Sequence, residues 1–415
     1  MILRARVILP ISAPPIEDGA LAITGSKISS VGPFRDLRPP AREKIVDLGE
    51  VILLPGLINS HCHLDYTDMA GELPPPKAFT DWIGSITAAK TGWSYSDYAR
   101  SWLHGARQLL KTGVTTVADI EAMPDLLPEV WGPTPLRVFS FFEMTGILSR
   151  RPPKEILDET LAKIDSLKHH RSRAMLSPHA PYSTLPELLK RTATAARKRK
   201  WRVCTHIAES EQEFEMFQNA RGKMHDWLGR NGRDNSDCGR GSPVAHFARN
   251  KLLGENVLAI HVNYLARGDA TLLAKNKTHV VHCPRSHDYF KHVKFERQRL
   301  ANAGVNLCLG TDSLATTRKN GKSKPELDLF AEMRLLAERD KTVSPVEILH
   351  MATINGARAL GLAGQIGQLS KNASADVIAI PFAGKIASLH ETLLEHTGSV
   401  SASMIEGNWT IPPQP

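Results

Sequence analysis

Eight short apolar runs of strand length recur between residues 57 and 309, with polar loops and helical patterns between them. The runs cover residues 57–59, 115–118, 136–142, 174–176, 202–205, 257–260, 279–281 and 305–309. Helical periodicity marks residues 98–111, 153–167, 185–198, 211–228 and 269–274. Strands that alternate with helices pair in parallel, and eight of them can close into a (β/α)₈ TIM barrel whose C-terminal strand ends share one mouth. A doubly wound open sheet is the competing arrangement. It would not bring residues from all eight strands to a common point.

The chain ends read differently. Residues 1–56 hold short strands at 4–9, 20–24, 27–31 and 44–54, with turn signals at Asp18-Gly19 and Gly25-Ser26. After a helical pattern at 345–360, residues 375–380 are strand-like again. Neither end has enough strands to bury a sheet face alone. Residues 1–56 with 362–415 are therefore expected to form one composite β-sandwich domain beside a barrel domain of residues 57–361. A chain of 415 residues has room for both. The polar stretch 231–242 is expected to be a mobile loop without a catalytic role.

Composition narrows the partners. The formal charge is +9, but the basic residues fall in short groups such as Arg197-Lys198-Arg199-Lys200, without the aromatic interleaving of a nucleic-acid groove. The H-x-E and P-C-x-x-C signature of zinc deaminases that act on bases in nucleic acid is also missing. No apolar stretch is long enough to span a bilayer, and two arginines and Pro10 interrupt the N-terminus too early for a signal-peptide core. Five cysteines without C-x-x-C spacing argue against a disulfide framework and suit a reducing compartment. A soluble cytoplasmic protein acting on a small molecule, with neither nucleic acid nor membrane as partner, is the expectation.

The strand ends carry the chemistry. His61 and His63 close the first barrel run in Ser60-His61-Cys62-His63, where alternation puts both imidazoles on one side and Cys62 on the other. His206 closes the fifth run, and Glu209 follows three residues later, where a carboxylate can enter the same cavity. His261 closes the sixth. Asp312 follows the eighth in Leu309-Gly310-Thr311-Asp312-Ser313, and a carboxylate after so apolar a run needs a partner. His61, His63, His206 and Asp312 make a borderline-hard donor set suited to one divalent ion, Zn²⁺ first and Fe²⁺ second, with a position left for water.

Four motifs in this order and spacing resemble the amidohydrolase superfamily, in its deaminase and chlorohydrolase branch. They are residues 55–63 (PGLINSHCH), His206-Ile207-Ala208-Glu209, His282-Cys283-Pro284-Arg285-Ser286 and Leu309-Gly310-Thr311-Asp312-Ser313. The resemblance implies that His61, His63, His206 and Asp312 bind one metal ion, that His261 orients the water on it, and that Glu209 shuttles protons. Asp312 and Glu209 would receive the proton of that water, and the resulting hydroxide would add to a ring carbon before ammonia leaves. Binuclear members of the superfamily carry a lysine on the fourth strand. Residues 173–179 (RAMLSPH) hold none, which favours a single ion. Related enzymes are commonly dimers, so the resemblance also allows a homodimer.

Substrate residues are expected around this centre. Glu143 and His179 end the third and fourth runs and can bind ring nitrogens or ribose hydroxyls. Asp65, Tyr66, Phe79 and Trp82, in the long segment after the first run, can stack on a heterocycle or cover the barrel mouth. Arg285 and Ser286 follow the seventh run, in a loop that forms substrate wall in deaminase relatives, although Arg285 can equally anchor that loop. His63-Leu64-Asp65 and residues 283–290 (CPRSHDYF) are similar to a subgroup associated with aminodeoxyfutalosine deamination in menaquinone biosynthesis. An adenine-bearing nucleoside is thus the first substrate expectation. Guanine, cytosine, another nucleoside or a triazine-type chlorohydrolase substrate comes next, and a barrel scaffold without catalysis is the contrasting class.

Overall fold

The computed structural model describes residues 1–37, 43–146, 151–319 and 324–414. Strands β1 (Ile2–Ile8), β2 (Ile16–Thr24), β3 (Lys27–Pro33), β4 (Ile45–Asp47) and β5 (Val51–Pro55) come first. The barrel strands follow: β6 (Leu57–Cys62), β7 (Val114–Glu121), β8 (Arg137–Met144), β9 (Arg173–Pro178), β10 (Val203–Ile207), β11 (Val257–His261), β12 (His279–His282) and β13 (Leu307–Leu309). Strands β14 (Val377–Pro381), β15 (Ala402–Ile405) and β16 (Asn408–Ile411) complete the set.

From β6 to β13 each strand pairs in parallel with the next, giving an eight-stranded sheet in chain order. Alternate residues feed two cores. Val117, Val138, Leu176, Val203, Val257, Ala259, Val280 and Leu307 point out against the helices, whereas Ala118, Phe139, Met175, Cys204, Leu258, Ile260, Val281 and Cys308 point in. Burial on both faces is why these strands read as unbroken apolar runs. Truncating an inner ring such as Phe139 to alanine would cost about 3–5 kcal/mol.

The last strand meets the first through backbone and side-chain hydrogen bonds beside a glycine. Thr311 N and Asp312 N both donate to the His61 carbonyl, at 3.0 and 3.1 Å. Asn59 donates to Thr311 Oγ1 at 2.8 Å and accepts from Thr311 N at 3.1 Å. A Cβ on Gly310 would lie 2.8 Å from the His61 carbonyl oxygen, so a side chain there would push the seam apart.

The strands from both chain ends form the other sheet, in the order β16-β15-β14-β5-β1-β2-β3, with β4 also on β1. Residues from both ends of that path, such as Ile28 and Met404, share one buried apolar cluster. The turn at Gly407 lies against the turn at Gly25, where an added Cβ would come within 2.3 Å of the Gly25 carbonyl oxygen. The sheet therefore folds over on itself as a sandwich. Buried Arg137 joins it to the barrel, bonding Asp376 at 2.5 Å and Glu406 at 2.9 Å.

Some expected elements are divided. The strand anticipated at 44–54 is β4 and β5, separated by Leu48-Gly49-Glu50. The helix anticipated at 211–228 is Glu211–Asn219 and Lys223–Arg230, broken at Gly222, whose φ of +98° no helix accommodates. The pattern at 345–360 gives Pro345–Met351 and Ile354–Ala359. Residues 231–242, expected to be mobile, are pinned: the buried Arg233 guanidinium donates to the Tyr182 and Pro181 carbonyls, both at 3.0 Å, and pairs with Asp237. Among the described residues, no helix is long and apolar enough to cross a membrane.

Candidate metal centre and active site

Strand ends bring the expected donors together. Nε2 of His61 and Nε2 of His63 lie 3.3 and 3.6 Å from Oδ1 of Asp312. His61, His63 and His206 offer donor atoms within 4.8 Å of one another, as do His61, His261 and Asp312. Ligands about 2.1 Å from a tetrahedral zinc sit roughly 3.4 Å apart, so the spacing suits one ion. Both ring nitrogens of His61, and Nε2 of His261, are buried without a hydrogen-bond partner, which is costly unless something else binds them. Nδ1 of His206 is 2.9 Å from the His179 carbonyl. A carbonyl only accepts, so Nδ1 carries the proton and Nε2 is free to ligate.

Local backbone geometry, more than strand parity, aims these groups. In β6 the register shifts between Asn59 and Cys62, so Ile58 faces the inner core while His61 and His63 still reach the centre. On β11, Val257 and Ala259 point outward, and continued alternation would send His261 the same way. Instead its φ is +71° and that of Val262 is +50°, a conformation side-chain-bearing residues rarely adopt. The His261 ring consequently lies 5.7 Å from that of His61 and 5.5 Å from that of His206.

Glu209 sits 3.5 Å from His261, between its Oε1 and the imidazole Nε2. A second carboxylate holds it there. Glu213 accepts from Ala208 N at 2.6 Å and from Glu209 N at 3.0 Å. Ser210 caps the helix that Glu213 belongs to, so Ser210-x-x-Glu213 is the sequence signal for this support. Asn263 donates to the Glu209 carbonyl at 2.9 Å from the other side.

Burial governs protonation. It pushes the Glu209 carboxyl well above the ordinary range, helped by the nearby charges of Asp312 and Glu213. The same desolvation holds His63 and His261 well below the usual imidazole value, and His206 at about 3. Burial works against ionisation of Asp312 as well, yet the imidazoles of His61, His261 and His63 outweigh it and keep this carboxylate ionised. Neutral imidazoles and an ionised aspartate are what a cation requires.

These groups open into a cavity of 570 Å³, lined by His63, His206, Glu209 and Asp312 at its base. Glu143 and His179 form one wall, 3.9 Å apart, and Nδ1 of His179 lies 2.6 Å from the Ser183 hydroxyl. The helix Phe79–Thr91 forms another wall. Its Trp82, Ile83, Ile86, Thr87 and Lys90 line the cavity, while Phe79 packs beside Tyr182 and Phe290. Lys90, which the sequence reading passed over, lies over the Tyr66 ring at 5.0 Å. Its spacing of four and eight residues from Ile86 and Trp82 is the signal that places it on their face.

Three anticipated substrate residues lie elsewhere. Arg285 is drawn to buried Glu332 at 2.5 Å and does not line the cavity. Ser286 is buried in the helix Pro284–Phe290, also off the cavity wall. Asp65 is buried behind the wall, with neither carboxylate oxygen hydrogen-bonded.

Known proteins share this fold. A model of the amidohydrolase family matches residues 52–410. A 5-methylthioadenosine/S-adenosylhomocysteine deaminase of Syntrophobacter fumaroxidans is 31% identical over 377 residues, covering 88% of this chain and 80% of the relative. The crystal structure of Helicobacter pylori aminofutalosine deaminase in complex with methylthio-coformycin superposes with a TM-score of 0.87 at 20% identity, covering 99% of this chain and all 100% of that one. Zinc-complexed atrazine chlorohydrolase of Arthrobacter aurescens gives a TM-score of 0.83 at 21% identity, over 99% of this chain and 95% of its own.

Proposed function

The chain belongs to the amidohydrolase family, and from that premise we propose that it is a metal-dependent deaminase of an adenine-bearing nucleoside. The observation that carries the reading is the convergence of His61, His63, His206 and Asp312 beside the Glu209–His261 pair at the base of one cavity. The relative from Syntrophobacter fumaroxidans, named for deamination of two 5′-substituted adenosines, supports the substrate class.

His61, His63, His206 and Asp312 would hold a divalent ion, Zn²⁺ first and Fe²⁺ second, which would lower the pKa of a water at the site. The chain's own residues do the rest. Glu209, protonated because it is buried, delivers a proton to the ring nitrogen beside the amine-bearing carbon and makes the ring a better electron sink. Ionised Asp312 and then Glu209 accept protons from the water. His261, in reach of Glu209, orients the attacking oxygen toward the ring carbon. Asp312 passes the proton it took to the amine, the carbon–nitrogen bond breaks, and ammonia leaves.

Glu143 and His179 bind the ribose hydroxyls or the outer ring nitrogens, Trp82 covers the base, and Ile83 and Ile86 accept an apolar 5′ substituent. Aminodeoxyfutalosine is our first specific candidate. The test is a panel of 5′-methylthioadenosine, S-adenosylhomocysteine, aminodeoxyfutalosine, guanine, cytosine and atrazine, read for ammonia and chloride. Ammonia from the adenine nucleosides alone is expected. Chloride from atrazine without ammonia from any nucleoside would assign the site to the chlorohydrolase reaction instead.

A further inference from the structure

A second hollow, of 340 Å³, lies outside the barrel wall between the end of β12 and the helices Pro284–Phe290 and Leu329–Arg339. His282 faces it because its neighbours Val281 and Cys283 face the inner core. The His282 ring stacks on Phe295 with centroids 3.9 Å apart and planes within 3°. His287 lies 5.2 Å from His282, and His292 lies 5.4 Å from His287. Pro284 and Leu336 complete a largely apolar floor.

Two features mark this hollow as a place for a ligand. Nδ1 of His282 and Nε2 of His292 are buried without hydrogen-bond partners, although both rings line it. The charges at its mouth are also unbalanced. Arg297 bonds Asp340 at 2.6 Å and Arg339 bonds Asp288 at 2.5 Å, but Lys291 and Lys294 have no ion pair among the described residues. Burial keeps the imidazoles neutral, with His287 at about 4 and His292 at about 3, so the positive charge comes from the lysines.

The hollow is also wired to the catalytic loop. Nδ1 of His287 lies 3.0 Å from Oδ1 of Asn263, whose amide nitrogen donates to the Glu209 carbonyl at 2.9 Å. The next residue, Tyr264, places its hydroxyl 3.2 Å from Nδ1 of His292. Two residues that directly follow the strained His261-Val262 turn therefore touch the wall of the second hollow.

We propose that this hollow is a second ligand site, for a small planar anion of the arene carboxylate or aryl phosphate type, and that its occupancy reaches Glu209 through His287 and Asn263. The ring would lie on Phe295 and Leu336, a polar edge would meet the unpartnered imidazole nitrogens, and the anionic end would meet Lys291 and Lys294.

Calorimetric titration of the zinc-loaded protein with 2-naphthoate, phenyl phosphate and inorganic phosphate tests it. Binding of at least one planar anion is expected, tenfold or more tighter than inorganic phosphate, and the stronger of the two identifies the anionic group. The Lys291→Glu, Lys294→Glu double variant should weaken that binding at least tenfold, and Leu336→Trp, which fills the hollow, should do the same. Amide hydrogen exchange across residues 207–213 should slow when the planar anion is bound. No binding at millimolar concentration, equal affinity in both variants, or unchanged exchange at saturation would each overturn the proposal. None of these readouts depends on the reaction catalysed, so failure here is distinct from failure of the deaminase reading.

Discussion

Oε1 of Glu209 and Nε2 of His261 stand 3.5 Å apart, although they leave different strands and neither is placed by strand alternation. The chain turns through a left-handed residue at Ala208, φ +52°, to present the first, and through His261 itself, φ +71°, to present the second. Strain of this kind persists only where surrounding bonds hold it. Here Glu213, Asn263 and the Ile207 carbonyl, which accepts from Val262 N at 3.0 Å, provide them.

Glu209→Gln should separate catalysis from binding. The amide keeps the side chain's shape but cannot carry the proton, so turnover should fall about 100- to 10,000-fold while metal content stays at the wild-type level. Turnover within a few-fold of wild type would remove Glu209 from the proton path.

Glu213→Ala should act through position. It leaves the Ala208 and Glu209 amides without their acceptor, and a displacement of about 1 Å at Glu209 is worth roughly 100-fold in rate. Steady-state kinetics should show kcat reduced, KM near wild type and the metal retained. A change confined to KM would place Glu213 in substrate binding instead.

Asp376→Ala should loosen the joint between barrel and sandwich. It takes from the buried Arg137 guanidinium the more buried of its two carboxylates and leaves only Glu406, so the cost should fall at or below the low end of the about 3–5 kcal/mol for a fully broken buried pair. Chemical denaturation should show that loss, with the Arg137→Met, Asp376→Leu pair recovering much of it. A loss below about 1 kcal/mol would mean solvent already reaches the pair.

Much of this was legible in the chain because strands buried on both faces leave long apolar runs, and a histidine or aspartate at the end of such a run has few explanations other than a ligand. The convergence of His61, His63, His206 and Asp312, the place of Glu209 beside His261 and the Glu143–His179 wall are legible that way. What stayed hidden depends on partners distant in sequence. Arg285 follows a barrel strand as a substrate residue would, but Glu332, 47 positions later, claims it. His261 reads as a strand-end residue, yet its inward direction comes from a positive φ that no periodicity encodes. Lys90 lies on a helix whose polar and apolar residues mix because the face it turns to the site is itself mixed.

Acid stability should report on Asp340. Burial draws its carboxyl upward, but hydrogen bonds from Thr342 and Arg297 outweigh that and hold it at about 2, below the ordinary 3.8. A carboxyl depressed by folding stabilises the protein above its unfolded value, and that contribution is lost as pH falls from about 4 through about 2. Discounted for solvent screening, it is about 1 kcal/mol. Unfolding midpoints of Asp340→Asn should be lower than wild type at pH 6 and converge with it near pH 2. Parallel curves over that range would contradict the assignment.

Titrating metal-free protein with Zn²⁺ while following ammonia release from 5′-methylthioadenosine tests most directly whether His61, His63, His206 and Asp312 hold one ion for deamination. Activity should rise linearly to one equivalent per chain and then level off. Ammonia release without added metal, or a rise that continues to two equivalents, would contradict it.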